Sequence, residues 1–497
     1  METPIFSYCF SSVLIENCDM PVHYCFGKYY ISVDSQTPYH AFKSQSCECA
    51  LFGYAVNLVT AEYDCIPEQI LLNCNSIDRV VEYEKNLGGK YIIFYKNEED
   101  YYILGDATLS IPIFYSPSGT VVCANSCQRI VEKLDLTPDS KHMKIREHGD
   151  ISQAMPFDIT VYKEIKQLIP NHYYDVNHAK AVRFVNSPNK QNIISIEEAT
   201  DKVLPLVDVL TCYYQSVFKI NCPITSGRDS RAVLAFLLAN SFNGACYTIK
   251  HPEHNEKTQD IVIPQELCST IDVPYAMIAD VELTKEEIDK MDNLLGKGNY
   301  STRTLRIAKT IKEHCGNSAI INGDIIGQVG KCSLHRDIPS LFATPSYFRC
   351  KLHNYSNEAK EQLKIWLDEI KQSGEQINTF DLFSIESRLG RWAAQENLIY
   401  NAIGQVYLNI FNSRSIIYVW TAVSRKLRKK SLLHIGLIDK KASTLLDIPF
   451  EHDENIAIKL SKLNGIFYLL SSYLKYYIEK QLFIRRKTHE KTDNNSR

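Results

Sequence analysis

The sequence predicts an α+β N-terminal part built as an antiparallel sheet sandwich, followed by an α/β part with a parallel sheet and a helical C-terminal stretch. Three observations predict it. Up to about residue 190, short apolar runs such as Leu51–Asn57, Tyr91–Tyr95, Tyr101–Leu104 and Ile113–Tyr115 alternate with turn residues, which is the pattern of strands. Beyond residue 195, apolar runs such as Val217–Ile220 and Ala245–Ile249 alternate with helical stretches at Ala232–Ala239 and Asp260–Leu267, the pattern of a parallel sheet wrapped by helices. From about residue 355 onward helical periods dominate.

Each element has a local reason. Lys96-Asn-Glu-Glu-Asp100 and Ser116-Pro-Ser-Gly119 are polar hairpin loops between apolar runs. The composition turns polar at Ser187-Pro-Asn-Lys-Gln-Asn192, and Ser195-Ile-Glu-Glu-Ala then starts a helix with a serine cap and an acidic first turn. The boundaries read from this are 1–190, 191–485, and a polar tail at 486–497. The late apolar stretch Ile466–Ile484 is interrupted by Lys475, Glu479 and Lys480, so it predicts an amphipathic core helix and not a membrane span.

Composition narrows the function classes. With 45% hydrophobic and 23% charged residues in 497, the chain can bury more than one core and stay hydrated. A net charge of −3 gives no electrostatic reason to bind nucleic acid or an anionic membrane. The 16 cysteines are dispersed, and Cys47-Glu48-Cys49 has too short a spacer for zinc, so reduced buried thiols are expected. An acidic residue at position 2 and the lack of an apolar run behind it predict a cytoplasmic chain.

The chemistry concentrates in Lys219-Ile-Asn-Cys-Pro-Ile-Thr-Ser-Gly-Arg-Asp-Ser-Arg231, a strand, a turn of small residues, then a helix. Backbone amides and the positive end of the helix dipole converge at such a turn and make an anion site. Thr225, Ser226 and Ser230 add hydroxyls there, Gly227 allows close approach, and Arg228 adds charge. Asp229 would repel a bare phosphate, so it makes sense with a divalent cation between them. The plainer alternative is a capped helix start with no ligand, in which Arg228 and Arg231 are surface cations.

Thr225-Ser-Gly-Arg-Asp-Ser230 resembles the Ser-Gly-Gly-x-Asp-Ser loop of the pyrophosphate-splitting ATP ligases, specifically the asparagine synthase-like family, whose members transfer AMP to a carboxylate. Flanking segments fit in order. Leu87-Gly-Gly-Lys-Tyr91, Leu104-Gly-Asp-Ala-Thr-Leu-Ser-Ile-Pro-Ile-Phe-Tyr115 and Thr160–Tyr174 are similar to that family's glutamine amidotransferase domain. Tyr247-Thr-Ile-Lys250, Asp260–Leu267 and Val273-Pro-Tyr275 are similar to the region that holds adenine and ribose. Glu386–Trp392, Phe411-Asn-Ser-Arg414, Leu432-Leu-His434 and Leu446-Asp-Ile-Pro-Phe450 resemble a polysaccharide-cluster branch of the family. The resemblance implies an Ntn-hydrolase-like N-terminal fold and a pyrophosphatase-type (adenine nucleotide α-hydrolase-like) second one. It implies ATP and Mg2+ as cofactors, bound by Thr225–Ser230, Thr248 and Gly323, with Asp229 and Asp324 on the metal and Lys430 and Asp229 as catalytic residues.

Two departures shape the functional expectation. Residue 2 is Glu, where a glutamine-hydrolysing member needs an N-terminal cysteine, and Cys9 cannot take that role without processing. In Ile321-Asn-Gly-Asp-Ile-Ile-Gly-Gln-Val-Gly330, Gln328 aligns with the second metal-binding aspartate, so that either Asp324 takes over or the site uses one metal fewer. The expectation is therefore an amide-forming ligase that adenylates a small-molecule carboxylate, accepts an amine, and has no glutaminase of its own; a homodimer is left open. A nucleotide-binding scaffold or sensor, and a glutamine-dependent asparagine synthase, are the alternatives. Lys430 could equally belong to a solvated basic face, and Arg388, Arg391 and Trp392 could either bind an acidic substrate or pack a helix while pairing with Glu386 and Glu396.

Overall fold

The computed structural model describes residues 4–494 except 18, 135, 149–154, 188, 190, 251–254, 256, 298, 333, 335–336 and 451–464, and describes side chains for all of these but 465 and 484–494. The strands in chain order are β1 (Tyr8–Ser11), β2 (Val22–Phe26), β3 (Tyr29–Val33), β4 (Tyr39–Lys43), β5 (Cys47–Asn57), β6 (Leu87–Asn97), β7 (Asp100–Gly105), β8 (Phe114–Tyr115), β9 (Val121–Ala124), β10 (Lys166–Gln167), β11 (His172–Asp175), β12 (Lys180–Arg183), β13 (Ile220–Pro223), β14 (Ala245–Lys250), β15 (Tyr275–Ala279), β16 (Ala319–Ile321) and β17 (Tyr407–Leu408). The first twelve form two six-stranded antiparallel sheets, ordered β10-β8-β9-β1-β3-β2 and β12-β11-β7-β6-β5-β4.

The longest strands are buried on both faces along most of their length. β5 and β6 pair from Cys47↔Asn97 to Asn57↔Leu87. One face of the pair, with Phe52, Val56, Ile92 and Phe94, packs into the core shared with the first sheet. The other, with Leu51, Tyr91, Ile93 and Tyr95, packs under helices Ile66–Asn73 and Ile77–Glu84. Gly53 and Gly89 adopt φ of 112° and 145°, and a Cβ on either would fall 2.3 Å from the Lys90 carbonyl or 2.1 Å from the Tyr54 carbonyl, so only glycine fits. Both expected hairpin loops are present, joining β6 to β7 and β8 to β9.

Ser195 caps the long helix Ile196–Val217 by accepting from the Glu198 amide, as its sequence pattern predicts. The helix runs through Val217, so the expected strand at 217–220 starts only at Ile220. The remaining strands form a wholly parallel sheet, ordered β15-β14-β13-β16-β17. The chain adds strands to one side of β13, then returns to add β16 and β17 on the other. Ligands of open parallel sheets bind in the crevice that this reversal creates at the carboxyl ends of the two central strands. Among the described residues from 355 onward the regular elements are helices and β17, a two-residue strand that no periodicity reveals.

One apolar cluster runs from Phe6 and Phe94 through Val207, Ile220 and Leu234 to Phe411, Trp420 and Ile448. The antiparallel and parallel sheets are thus joined by a continuous core. The last helix, Gly465–Asn494, extends into the segment expected to be a polar tail. Among the described residues no helix is long and apolar enough to cross a membrane.

Candidate functional site

The loop Thr225–Ser230 lies at the carboxyl end of β13, before helix Arg228–Ala239. It is braced from within: the Thr225 amide donates to Ser230 Oγ (3.2 Å) and the Gly227 amide to Thr225 Oγ1 (3.2 Å). Both the amide and the hydroxyl of Ser226 donate to Asp260 Oδ1 (2.9 and 2.6 Å), so this buried serine holds the turn to the next helix. The helix itself begins at Gly227 with no side-chain cap. Its first amides are those that an intrahelical bond never reaches and that an anion can use. Thr248 on β14 is buried and donates to the Ile224 carbonyl (2.6 Å), fixing the strand end that feeds the loop.

The loop after β16 meets this turn. A Cβ on Gly323 would fall 2.9 Å from the Asp229 backbone carbonyl, and one on Gly327 would fall 2.7 Å from its Oδ2. Asp229 still exposes 40% of its side chain, and its Oδ1 is 2.7 Å from Nε2 of the fully buried His434. Burial pushes the Asp229 carboxyl up, but the His434 hydrogen bond and charge, with Lys331 and Arg228, outweigh it and hold the group below its ordinary range.

Asp324 lies on the same loop as Gly323 and Gly327. Tyr407 on β17 donates to its Oδ2 (3.2 Å), and its amide donates to Asn322 Oδ1 (2.9 Å). Burial, then the Asp229 charge, raise its pKa to about 6 against the pull of Tyr407 and Arg388. Beyond it Glu396 is pushed up to about 8, by burial first and then by Asp324, with Arg388 opposing. Asp324 thus feels the charge of Asp229, and Glu396 that of Asp324. Among the described residues no group of three or more His, Cys, Asp or Glu is arranged to hold a metal by itself. Asp229 and Asp324 are two acidic oxygen donors at most, which fits Mg2+, an ion that keeps waters and takes phosphate oxygens.

Other sequence candidates fall elsewhere. Gln328 sits in the π-helical turn Ile326–Gly330 with its Oε1 buried and without a hydrogen-bond partner, and it is Asp324 that interacts with Asp229. Lys430 is exposed in the turn before helix Leu432–Ala442. Its basic neighbours are structural: Arg428, fully buried, binds Asp381 (2.6 Å) and the Val329 carbonyl (2.7 Å), and Lys429 binds Asp337 (2.6 Å). Arg231 is also fully buried, donates to the Leu445 and Ile448 carbonyls, and lies 4.0 Å from the Phe450 ring, with Arg228 at 4.6 Å. Leu446–Phe450 is thereby tied to the loop helix. Arg391 anchors the Met155 and Ile159 carbonyls and Gln167, while Glu386 pairs with Arg183 (2.6 Å) and Trp366 (2.7 Å). Arg388 stacks on Trp392 at 4.5 Å and faces Glu396 and Asp324.

The sequence assigns no role to Lys331 or His434, and to Glu396 only that of a partner for the arginines of its helix. His434 stood in a quoted motif, but nothing local marks it as the partner of an aspartate 205 positions away. In the N-terminal part, Cys9 is buried on β1 with its thiol pushed up to about 11 by burial, the opposite of an activated nucleophile. Residue 2 lies outside the described residues. No disulfide joins the described cysteines.

No family model matches this chain, and no curated protein does. Among solved structures the chain is similar to a glutamine phosphoribosylpyrophosphate amidotransferase from B. subtilis complexed with ADP and GMP, at 13% identity over 59% of this chain and 66% of that one, with a TM-score of 0.20. A structure of the allosteric regulatory enzyme of purine biosynthesis is similar at 14% identity over 59% and 66%, with a TM-score of 0.20. Both likenesses are remote, and the architecture above rests on the strands themselves.

Proposed function

We propose that this chain is an ATP-dependent ligase of the asparagine synthase type that forms an amide from a small-molecule carboxylate and an amine, without hydrolysing glutamine. One observation carries the reading: the glycine-lined loop after β16 sets Gly323 and Gly327 against Asp229, with the Asp324 carboxyl near enough to feel its charge, where the parallel sheet reverses. In this reading Thr225, Gly227 and Ser230 with the first helix amides receive the phosphates. Mg2+, held by Asp229 and Asp324, would offset the phosphate charge. A carboxylate oxygen attacks the α-phosphorus, the bond to the β-phosphate breaks, and pyrophosphate leaves. The amine then attacks the acyl carbon, expels AMP, and gives up a proton, for which Glu396 is the base candidate because its pKa near 8 matches neutral-pH proton transfer. The inert setting of Cys9 supports the loss of glutaminase chemistry.

A non-catalytic nucleotide sensor is the second reading, supported by Ser226 having its amide and hydroxyl committed to Asp260. Pyrophosphate release over a panel of acids and amines separates the two. The ligase reading expects AMP and pyrophosphate in equal amounts with at least one pair, and Asp229→Ala to lower turnover by at least about 100-fold. Binding of ATP with no consumption under any pair favours the sensor. Equal ATP affinity and turnover in wild type and Asp229→Ala would sink both.

A further inference from the structure

Among the described side chains, the buried contacts of the C-terminal helix Gly465–Asn494 fall on one side. There Leu469 and Tyr476 are buried, Tyr476 donates to the Asn354 carbonyl (3.0 Å), Lys351 donates to Ser472 Oγ (2.7 Å), and His353 meets Glu479 (2.9 Å). On the other side Ile466, Phe467, Leu470, Leu474, Tyr477, Ile478 and Leu482 are 46–63% exposed. These are seven of the twenty exposed large apolar side chains among the described residues, gathered on one helix. Concentration of this kind marks an interaction surface, whereas scattered exposed apolar residues need no explanation.

The spacing says what the surface fits. Phe467, Leu470, Leu474 and Tyr477 follow steps of three and four, and the series continues in sequence to Gln481 and Ile484. A 3.5-residue period makes a narrow seam that another helix can interlock with along its length, and a polar residue at one seam position sets register. Seven half-exposed side chains of this size offer roughly 600–800 Å² per copy, enough for the lower range of stable two-body interfaces when doubled. The described charges bordering the stripe are Lys475, Glu479 and Lys480, with Lys475 3.7 Å from Glu479. The sequence Arg485-Arg486-Lys487 just past the seam disfavours a parallel pair, which would set these cations against their own copies.

We propose that Phe467, Leu470, Leu474 and Tyr477 form an antiparallel two-helix seam with a second copy of this chain, its two-fold axis passing near Leu474. The interface is self-complementary, as a two-fold dimer requires.

Sedimentation equilibrium of the full chain, from sub-micromolar to tens of micromolar, tests this. The seam expects a dimer, weakened at least about tenfold by Leu474→Glu with the melting temperature unchanged. A monomer at every concentration, or a dimer indifferent to both Leu470→Glu and Leu474→Glu, overturns it. Leu474→Cys gives an independent reading. With diamide as oxidant, two thiols near the axis lose two electrons and two protons to it and join as a disulfide. Leu474→Cys should cross-link to a dimer, and Ile466→Cys, far from the axis, should not. Cross-linking of both would mean a parallel pair and overturn the antiparallel seam. A monomer that co-sediments with phosphatidylserine vesicles, and loses this with Leu474→Glu, would assign the stripe to a membrane surface instead.

Discussion

Asp229 is held on one side by Gly323 and on another by His434, and each gives a different test. Gly323 touches its backbone carbonyl, which cannot rotate aside. Gly323→Ala should therefore displace the loop, cost about 1–3 kcal/mol in urea unfolding, and lower ATP affinity. His434 acts through charge. It helps hold the carboxyl of Asp229 below its ordinary value, so the ionised state persists as pH falls. His434→Leu should move the acid limb of ATP binding to higher pH, measured as binding against pH between about 4 and 7. The sequence made Asp229 legible because a small-residue turn with an acid before a helix has few uses. It could not reveal His434 or Lys331, whose approach depends on how distant helices pack.

At the scale of elements, two loops from neighbouring strands and one helix face build the recess, and the helix face was the least legible. Ser384–Ala393 is wound as a π-helix, which shifts the phase of every later residue relative to the ordinary 3.6 period. The phase shift defeats any attempt to place Arg388, Trp392 and Glu396 by periodicity. Glu396 has a consequence for stability that sequence alone does not suggest. Its folded pKa, near 8, exceeds its unfolded value, so its contribution is fully present below the unfolded pKa and is lost as pH rises to about 8. Glu396→Gln should thus gain stability relative to wild type between pH 5 and pH 8, by of order 2 kcal/mol in urea unfolding. The same variant should lose the amine-dependent step if Glu396 serves as base. The loop helix offers a further test. Asp260→Ala frees both donors of Ser226 and leaves them buried, so a loss of about 1–3 kcal/mol is expected in thermal or urea unfolding.

For the whole molecule, the two sheet systems were visible in the sequence and their union was not. The division near residue 190 follows from composition, but the segments quoted for family likeness meet across it. Asn412 donates to the Gly89 carbonyl (2.7 Å) and to Asp106 (2.9 Å), and Arg414 binds Glu84. Lys90 reaches over the same seam, donating to Asn397 (2.9 Å), Asn401 (2.8 Å) and the Tyr407 carbonyl (3.2 Å) above the Phe6 ring. Burial lowers its pKa to about 7, with Asp106 opposing. Its folded pKa is depressed, so its charged form is disfavoured in the fold and stability falls as pH drops from about 10 toward 7. Lys90→Met should remove that slope, read as the difference from wild type in urea unfolding at pH 7 and pH 9.5. Lys90 also bears on engineering. A lysine from the front sheet donates to the carbonyl of Tyr407, whose hydroxyl steadies Asp324, so a shortened gene encoding only the rear portion would yield a protein missing one of its own struts.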